Sequence, residues 1–326
     1  MNEITITDEM QKAIDLIEQT DQHIFITGKA GTGKTTFLKH IVNHLDKRFV
    51  VAASTGIAAI NAGGVTLHSL LRIPLGTLSP DEPLKGTLTK ERFLLLNNID
   101  ALIIDEVSMV RPDVMDFVDR RLRQVRGSDK SFGGVQIIMF GDLFQLPPVI
   151  KREDAEILDH FYEGDYFFNA RAFKQKGFNI VELNHIFRQS DPKFINILNN
   201  IRVYNITQDD LEALAELRDK YISSHFNSNH IHICTHRKDV EQINNNLLGE
   251  ATHSFEAEIK GEFNIGHAPC DKTLDIRVGA RVMTLVNNRD QGFCNGSLGV
   301  ITDIQDDKIL VELDNGWDVV VGKYFW

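Results

Sequence analysis

HIFITGKAGTGKTTFLKHIVNHL, residues 23–45, is the stretch that decides the fold. HIFITG reads as a buried strand, and GKAGTGKTTFLKHIVNHL reads as a loop and then a helix. The loop, GKAGTGKT, matches G-x-x-x-x-G-K-S/T with Gly28, Gly33, Lys34 and Thr35. Glycines let backbone N–H groups turn inward around phosphate oxygens. A lysine at position 34 reaches the β and γ phosphates, and a threonine hydroxyl at 35 can ligate Mg²⁺. Ala30, Gly31, Thr32 and Thr36 complete the candidate nucleotide-binding run. The helix after the loop turns its positive dipole end toward the anion.

Working outward, FVVAAS (49–54), ALIIDE (101–106) and QIIMFGD (136–142) read as further strands separated by helical stretches. Short apolar runs alternating with helices predict an α/β fold with a parallel sheet and crossover helices. Ligands of such sheets gather at the carboxyl ends of the strands, where the charged motifs fall. Before the phosphate loop, Asp8 to Gln19 has helical apolar spacing at Met10, Ala13, Ile14 and Ile17, with Thr7 as its N-cap. Residues 71–89, RIPLGTLSPDEPLKGTLT and its approach, read as an inserted loop or small subdomain. The first domain is expected to close near residue 183. Helices are expected over 193–202, 209–221 and 237–248, and a strand at HIHICT (230–235). From residue 255, short alternating runs with turn signals predict a small antiparallel barrel.

Asp105 and Glu106 end a hydrophobic strand. The first carboxylate can hold Mg²⁺ opposite Thr35, and the second can deprotonate an attacking water. In GDLFQLPPV (141–149), Gln145 can donate and accept hydrogen bonds, so it suits sensing of a γ phosphate or of its water. Arg188 in HIFRQ can reach a γ phosphate across a cleft, although a lone arginine equally serves a structural ion pair. Thr55, Gly56, Thr66 and His68 belong to a small, polar segment that can lie along a nucleic-acid backbone, or simply cap and pack helices. Phe144, Phe187 and Phe293 could stack on bases or fill a core. His225, His230, His232 and His236 make a metal site conceivable, with ordinary polar packing the plainer reading.

Composition bounds these readings. The chain has 326 residues, 42% hydrophobic and 25% charged, enough for about two cored domains. Three cysteines without metal-ligand spacing fit a reduced, cytoplasmic protein. No apolar run approaches the length needed to span a bilayer. A net charge of −11 weighs against a nucleic-acid partner unless positive charge is confined to one channel.

Taken together, the motifs resemble the Pif-type helicases of superfamily one, relatives of the RecD-type helicases. Gln11 resembles the adenine-reading glutamine. GKAGTGKT, TGIAAINAGG with VTLHSLL, LIIDEVSMV, FGDLFQLPPV, LNHIFRQSD, ICTHRKDVEQIN and VGARVMTLVNN…FCNGSLGVI resemble the family's segments in order. The resemblance implies two RecA-like motor domains: the first over 1–183, the second begun over 184–254 and carrying a β-barrel insertion over 255–326. It implies an ATP- and Mg²⁺-dependent 5′-to-3′ DNA helicase, with Lys34, Asp105, Glu106, Gln145 and Arg188 at the ATP site. Single-stranded DNA and single-strand/duplex junctions, structured G-rich DNA included, are the implied partners of a monomer, with residues 71–89 as the strand-separating wedge. Thr55, Gly56, Thr66, His68, Thr235, His236 and Asn295 would contact DNA. Replication, recombination, repair and telomere maintenance are the implied processes. The family's TIHKSQG-like and ALSR-like segments do not follow DVVVGKYFW here, so the second motor domain is expected to be unfinished and hydrolysis poorly coupled to DNA. A phosphate-loop ATPase that remodels protein or DNA complexes without unwinding is the alternative.

Overall fold

The computed structural model describes residues 4–189, 191–224, 232–261, 270–286, 288, 290–306 and 308–325. It divides into two compact units, residues 1–211 and 212–326. The first runs past the expected close at 183.

Six strands form the sheet of the first unit: β1 (His23–Gly28), β2 (Phe49–Ala53), β3 (Val65–Thr66), β4 (Ala101–Asp105), β5 (Gln136–Gly141) and β6 (Phe178–Leu183). Their order is β3-β2-β4-β5-β1-β6, and every pairing is parallel. The central strands are buried on both faces, which is why they read as unbroken apolar runs. Alternate residues point to opposite sides. Ile24, Ile26, Ile103, Ile138 and Phe140 pack with Met10, Ala13, Ile14 and Ile17 of α1 (Asp8–Gln19) and Phe37, Leu38 and Ile41 of α2 (Lys34–His44). Phe25, Ala52, Leu102, Ile104, Ile137 and Met139 face α4 (Leu67–Leu71), α5 (Lys90–Asn98) and α6 (Pro112–Arg126). The short α3 (Gly56–Ala62) follows β2. Thr7 caps α1 as expected, accepting from the Met10 N–H.

The expected insertion over 71–89 is a loop held against α6 by side chains. Asp113 accepts the Leu78 N–H at 3.0 Å, and Arg111 donates to the Gly76 carbonyl at 2.7 Å. Arg121, 3% exposed, donates to the carbonyls of Lys85 at 2.5 Å and Gly86 at 2.8 Å. Beyond α7 (Arg152–Phe161) and α8 (Ala172–Gln175), β6 leads to α9 (Pro192–Arg202), capped by Asp191. α10 (Gln208–Ser224) then carries the chain across the boundary between the units.

In the second unit, α11 (Arg237–Leu248) spans the predicted 237–248. The expected strand at 230–235 is absent from its described part, 232–235, and His225 and His230 lie outside the described residues. Strands β7 (His253–Glu256) and β8 (Thr273–Ile276) pair antiparallel. A separate antiparallel sheet contains β9 (Arg281–Met283), β10 (Leu298–Gln305), β11 (Lys308–Leu313) and β12 (Asp318–Gly322), in the order β12-β11-β10-β9. Among the described residues this is an open sheet and a two-stranded pair, not the closed barrel expected from the alternation. Alternation fixes which face is buried, not whether the edge strands meet. Phe293 is 5% exposed in this unit's core with Ile301, Val311 and Val319, so it is not a base-stacking residue.

Candidate nucleotide site

The phosphate loop leaves β1 and enters α2 through Gly31 (φ +84°) and Gly33 (φ +79°), both in the left-handed region that disfavours any other residue. Close approach adds a second reason at Gly31. A Cβ there would lie 2.8 Å from the Arg188 Cβ, because the segment after β6 crosses the loop and the Phe187 N–H donates to the Gly31 carbonyl at 2.8 Å. The Phe187 ring lies over Gly33. The predicted Arg188 is therefore brought to the phosphate loop within the first unit, with an exposed side chain.

Lys34 opens α2, and its ammonium donates to the carbonyls of Gly28 at 2.7 Å and Lys29 at 3.1 Å. Burial lowers its pKa, opposed by the charges of Asp142, Glu106 and Asp105. Three acids from two neighbouring strand ends thus gather around one lysine. Thr32 is fully buried and turns both its N–H and its hydroxyl back to the Lys29 carbonyl, so it shapes the loop from within. Ala30 and Thr36 are exposed, and Thr35 is half-buried. Gln11 is exposed on α1 and donates to Asp15 at 2.9 Å. Its neighbour Met10, not Gln11 itself, is the residue that approaches Gly33.

Asp105 is 4% exposed at the end of β4. Burial pushes its acid up to about 6; the Glu106 N–H it accepts at 3.0 Å and the Lys34 charge pull it down, while the Glu106 charge adds to the rise. Glu106 itself sits in the left-handed region (φ 50°, ψ 44°), a conformation that costs about 1–2 kcal/mol in a non-glycine residue. The Ser54 hydroxyl and the Met109 N–H hold its carbonyl, at 2.9 and 3.2 Å. Strain held by surrounding bonds at a charged strand end marks a position kept for something other than stability.

Sequence reasoning selected Gln145 but passed over its neighbour Asp142, which is 1% exposed. Asp142 accepts from the Gln145 amide at 3.1 Å, the Phe144 N–H at 3.1 Å and Arg202 of α9 at 2.7 Å. The available signal was an acid directly after a buried strand, as at Asp105. Arg202, the last residue of an amphipathic helix, carried none.

Of the expected DNA contacts, Thr55 and Thr66 cap α3 and α4, accepting from the N–H groups of Ala58 and Ser69. Gly56 opens α3 with space beside it, and His68 is half-buried, its pKa lowered by burial and by Arg111. All four stand at the carboxyl edge of β2 and β3. In the second unit Thr235, His236 and Asn295 are exposed, with Thr235 and His236 hydrogen-bonded to each other at 2.9 Å.

A six-stranded parallel sheet with a phosphate loop after its first strand and paired acids at the end of β4 defines a RecA-like phosphate-loop domain. The sequence model of the PIF1-like helicase matches residues 5–211, and the chain belongs to that family. It is 34% identical over 327 residues to ATP-dependent DNA helicase PIF1 of Saccharomyces cerevisiae, an alignment taking in 93% of this chain and 36% of that protein. Against the crystal structure of Pif1 helicase from Bacteroides in complex with ADP-AlF3 and ssDNA, the TM-score is 0.92 at 53% identity, over 99% of this chain and 76% of that one. Candida albicans Pif1 superposes with a TM-score of 0.71 at 26% identity, over 98% of this chain and 79% of that one. The chain spans less than half the length of the first curated relatives it matches, 36–45%.

Proposed function

We propose that this chain is the ATP-driven part of a DNA helicase or translocase that moves 5′-to-3′ on single-stranded DNA and separates duplex at junctions. The observation that carries the reading is the gathering of Lys34, Asp105, Glu106 and the Asp142–Gln145 pair at one phosphate loop, in a chain of the PIF1-like family. Relatives support the substrate: Bacteroides Pif1 has been crystallised with single-stranded DNA, and coordinating Pif1 helicases have been described at forked duplex DNA.

In this reading Lys34 exchanges its two loop carbonyls for β and γ phosphate oxygens. The Thr35 hydroxyl and the Asp105 carboxylate fit Mg²⁺, because a carboxylate disfavoured in its charged form by burial is one that a cation relieves. Held there, Mg²⁺ would supply positive charge to offset that developing on the phosphate oxygens. Glu106 takes a proton from the attacking water, Gln145 orients that water, and Arg188 offsets charge on the γ phosphate. Gln11, on the helix that precedes the loop, would read the base by turning from its bond to Asp15.

Thr55, Gly56, Thr66 and His68 would follow the DNA backbone. A capping hydroxyl accepts through a lone pair and still has its proton to donate to a phosphate. Thr235, His236 and Asn295 would add contacts from the second unit, and the loop over 71–89 would act as the wedge. Hydroxyl, amide and backbone groups of this kind contact sugar and phosphate without requiring a net positive chain, and the formal charge here is −11. Replication, recombination and repair are the processes such a monomeric motor serves, at the nucleoid of a bacterial cytoplasm. No described helix is long and apolar enough to cross a membrane.

Steady-state ATPase, with and without a single-stranded oligonucleotide, tests the proposal on this chain and on Lys34→Ala. Loss of turnover in Lys34→Ala and a response of rate or nucleotide affinity to DNA are expected. An ATPase indifferent to DNA in both respects points instead to remodelling without tracking.

A further inference from the structure

Arg202 closes α9, yet its guanidinium lies at the phosphate-loop end of the sheet. Nη2 donates to Asp142 Oδ1 at 2.7 Å and Nε to Oδ2 at 3.3 Å, while the guanidinium carbon sits 4.2 Å from the centre of the Phe144 ring. Arg202 is 17% exposed and the Asp142 side chain 1%. The forked contact and the ring fix the cation on two sides, a geometry lysine does not reproduce. Burial alone would raise the Asp142 acid, but Arg202, the Phe144 N–H and Gln145 hold it below the usual carboxylate range.

A charged carboxylate only accepts hydrogen bonds. Its partner on Gln145 must therefore be the NH₂ end of the amide, at 3.1 Å. That choice leaves Oε1 as the end of Gln145 that Asp142 does not use, an acceptor for a water O–H. Neutralise or remove the carboxylate, and either end of the amide could turn to it.

We propose that Arg202 is a positioning residue for ATP hydrolysis, acting through Asp142 to fix Gln145 with its amide oxygen offered to the attacking water. The inference rests on the phosphate-loop function proposed for this chain. It also makes α9, whose sequence shows no chemistry, part of the device that sets turnover.

A double-mutant cycle tests it: kcat and KM for ATP in the full chain, for Arg202→Ala, Gln145→Ala, the double variant and Arg202→Lys. Arg202→Ala is expected to lower kcat about ten- to hundredfold, the scale of a small displacement near reacting groups, with KM for ATP within about twofold. In the Gln145→Ala background the same change is expected to do nothing further, and Arg202→Lys to recover part of the loss. An Arg202→Ala loss that multiplies with that of Gln145→Ala, or that appears in KM instead of kcat, overturns the proposal. Where Arg202→Ala does not fold, Arg202→Lys takes its place in the cycle, with the same non-additivity required.

Two further arms separate this inference from the function it rests on. Turnover that survives in Lys34→Ala defeats the phosphate-loop reading. The side-chain amide signals of ¹⁵N-labelled Gln145 decide the positioning without any turnover. Slow NH₂ exchange in the parent chain and fast exchange in the Arg202 variant are expected, and fast exchange in both overturns the proposal.

Discussion

Replacing Asp105 by asparagine should stabilise the protein while removing a group its proposed chemistry needs. Asp105 is 4% exposed, and its acid is pushed from the ordinary 3.8 up to about 6, chiefly by burial. Folding therefore favours the protonated acid. That contribution is complete below about pH 4 and is lost as the pH rises through about 6. At pH 7.5 the folded chain carries a charge that the fold disfavours by about 3 kcal/mol, at 1.36 kcal/mol per pKa unit. Asparagine keeps the Oδ1 that accepts the Glu106 N–H and removes the charge. Its new NH₂ group lacks an assigned acceptor and offsets about 1 kcal/mol of the gain. The expected net stabilisation of Asp105→Asn is about 2 kcal/mol, or roughly 4–8 °C in a unit of this size. Both tryptophans, Trp317 and Trp326, lie in the second unit, so calorimetry of the first unit's transition is the assay, run from pH 4 to 8 without nucleotide or metal. The difference between variant and parent should rise from near zero at pH 4 to its plateau above pH 7. A variant less stable than the parent at pH 7.5, or a difference independent of pH, refutes the assignment of a buried, disfavoured charge.

Three other perturbations have defined outcomes. Gly31→Ala forces a side chain to φ +84° and to within 2.8 Å of the Arg188 Cβ; it should cost at least about 1–2 kcal/mol in thermal unfolding and weaken fluorescent-ATP binding together. Arg121→Ala removes the donor to the carbonyls of Lys85 and Gly86; amide exchange over residues 76–88 should quicken about ten- to hundredfold while nucleotide affinity holds, and unchanged exchange would show that these two bonds do not hold the loop. Arg188→Ala should lower single-turnover hydrolysis about 10³-fold or more with nucleotide affinity little altered, and a full-rate variant would reduce Arg188 to packing against Gly31.

Much of the first unit was legible because its elements are locally over-determined. The strands around Phe25, Ile103 and Ile138 are buried on both faces and read as apolar runs, and Thr7 sits where a helix cap must. The phosphate loop is written in residue types that only its backbone geometry requires. Strand β6 was harder, because at the sheet edge it alternates exposed Ile180 with buried Val181 and gives a weaker signal. The barrel expectation went further than alternation allows, since edge pairing is a property of three-dimensional closure. Asp142 could have been read as a second acid at a strand end. Arg202 could not: an arginine ending an amphipathic helix looks like dipole complementation until the fold carries it to a buried carboxylate. Thr55 and Thr66 show the reverse limit, because one hydroxyl serves helix capping and nucleic-acid contact alike and the sequence pattern for both is the same.

The most direct test of the central claim, that the phosphate-loop site and a DNA track form one coupled device, is the reciprocal shift in affinity. Fluorescent-ATP Kd would be measured at rising concentrations of a single-stranded oligonucleotide, and oligonucleotide Kd at rising nucleotide, on the same preparation. Coupling predicts that each ligand changes the other's Kd by the same factor, about fivefold or more, and that Lys34→Ala abolishes the effect together with nucleotide binding. Nucleotide that binds with one Kd whether or not DNA is bound would contradict the account.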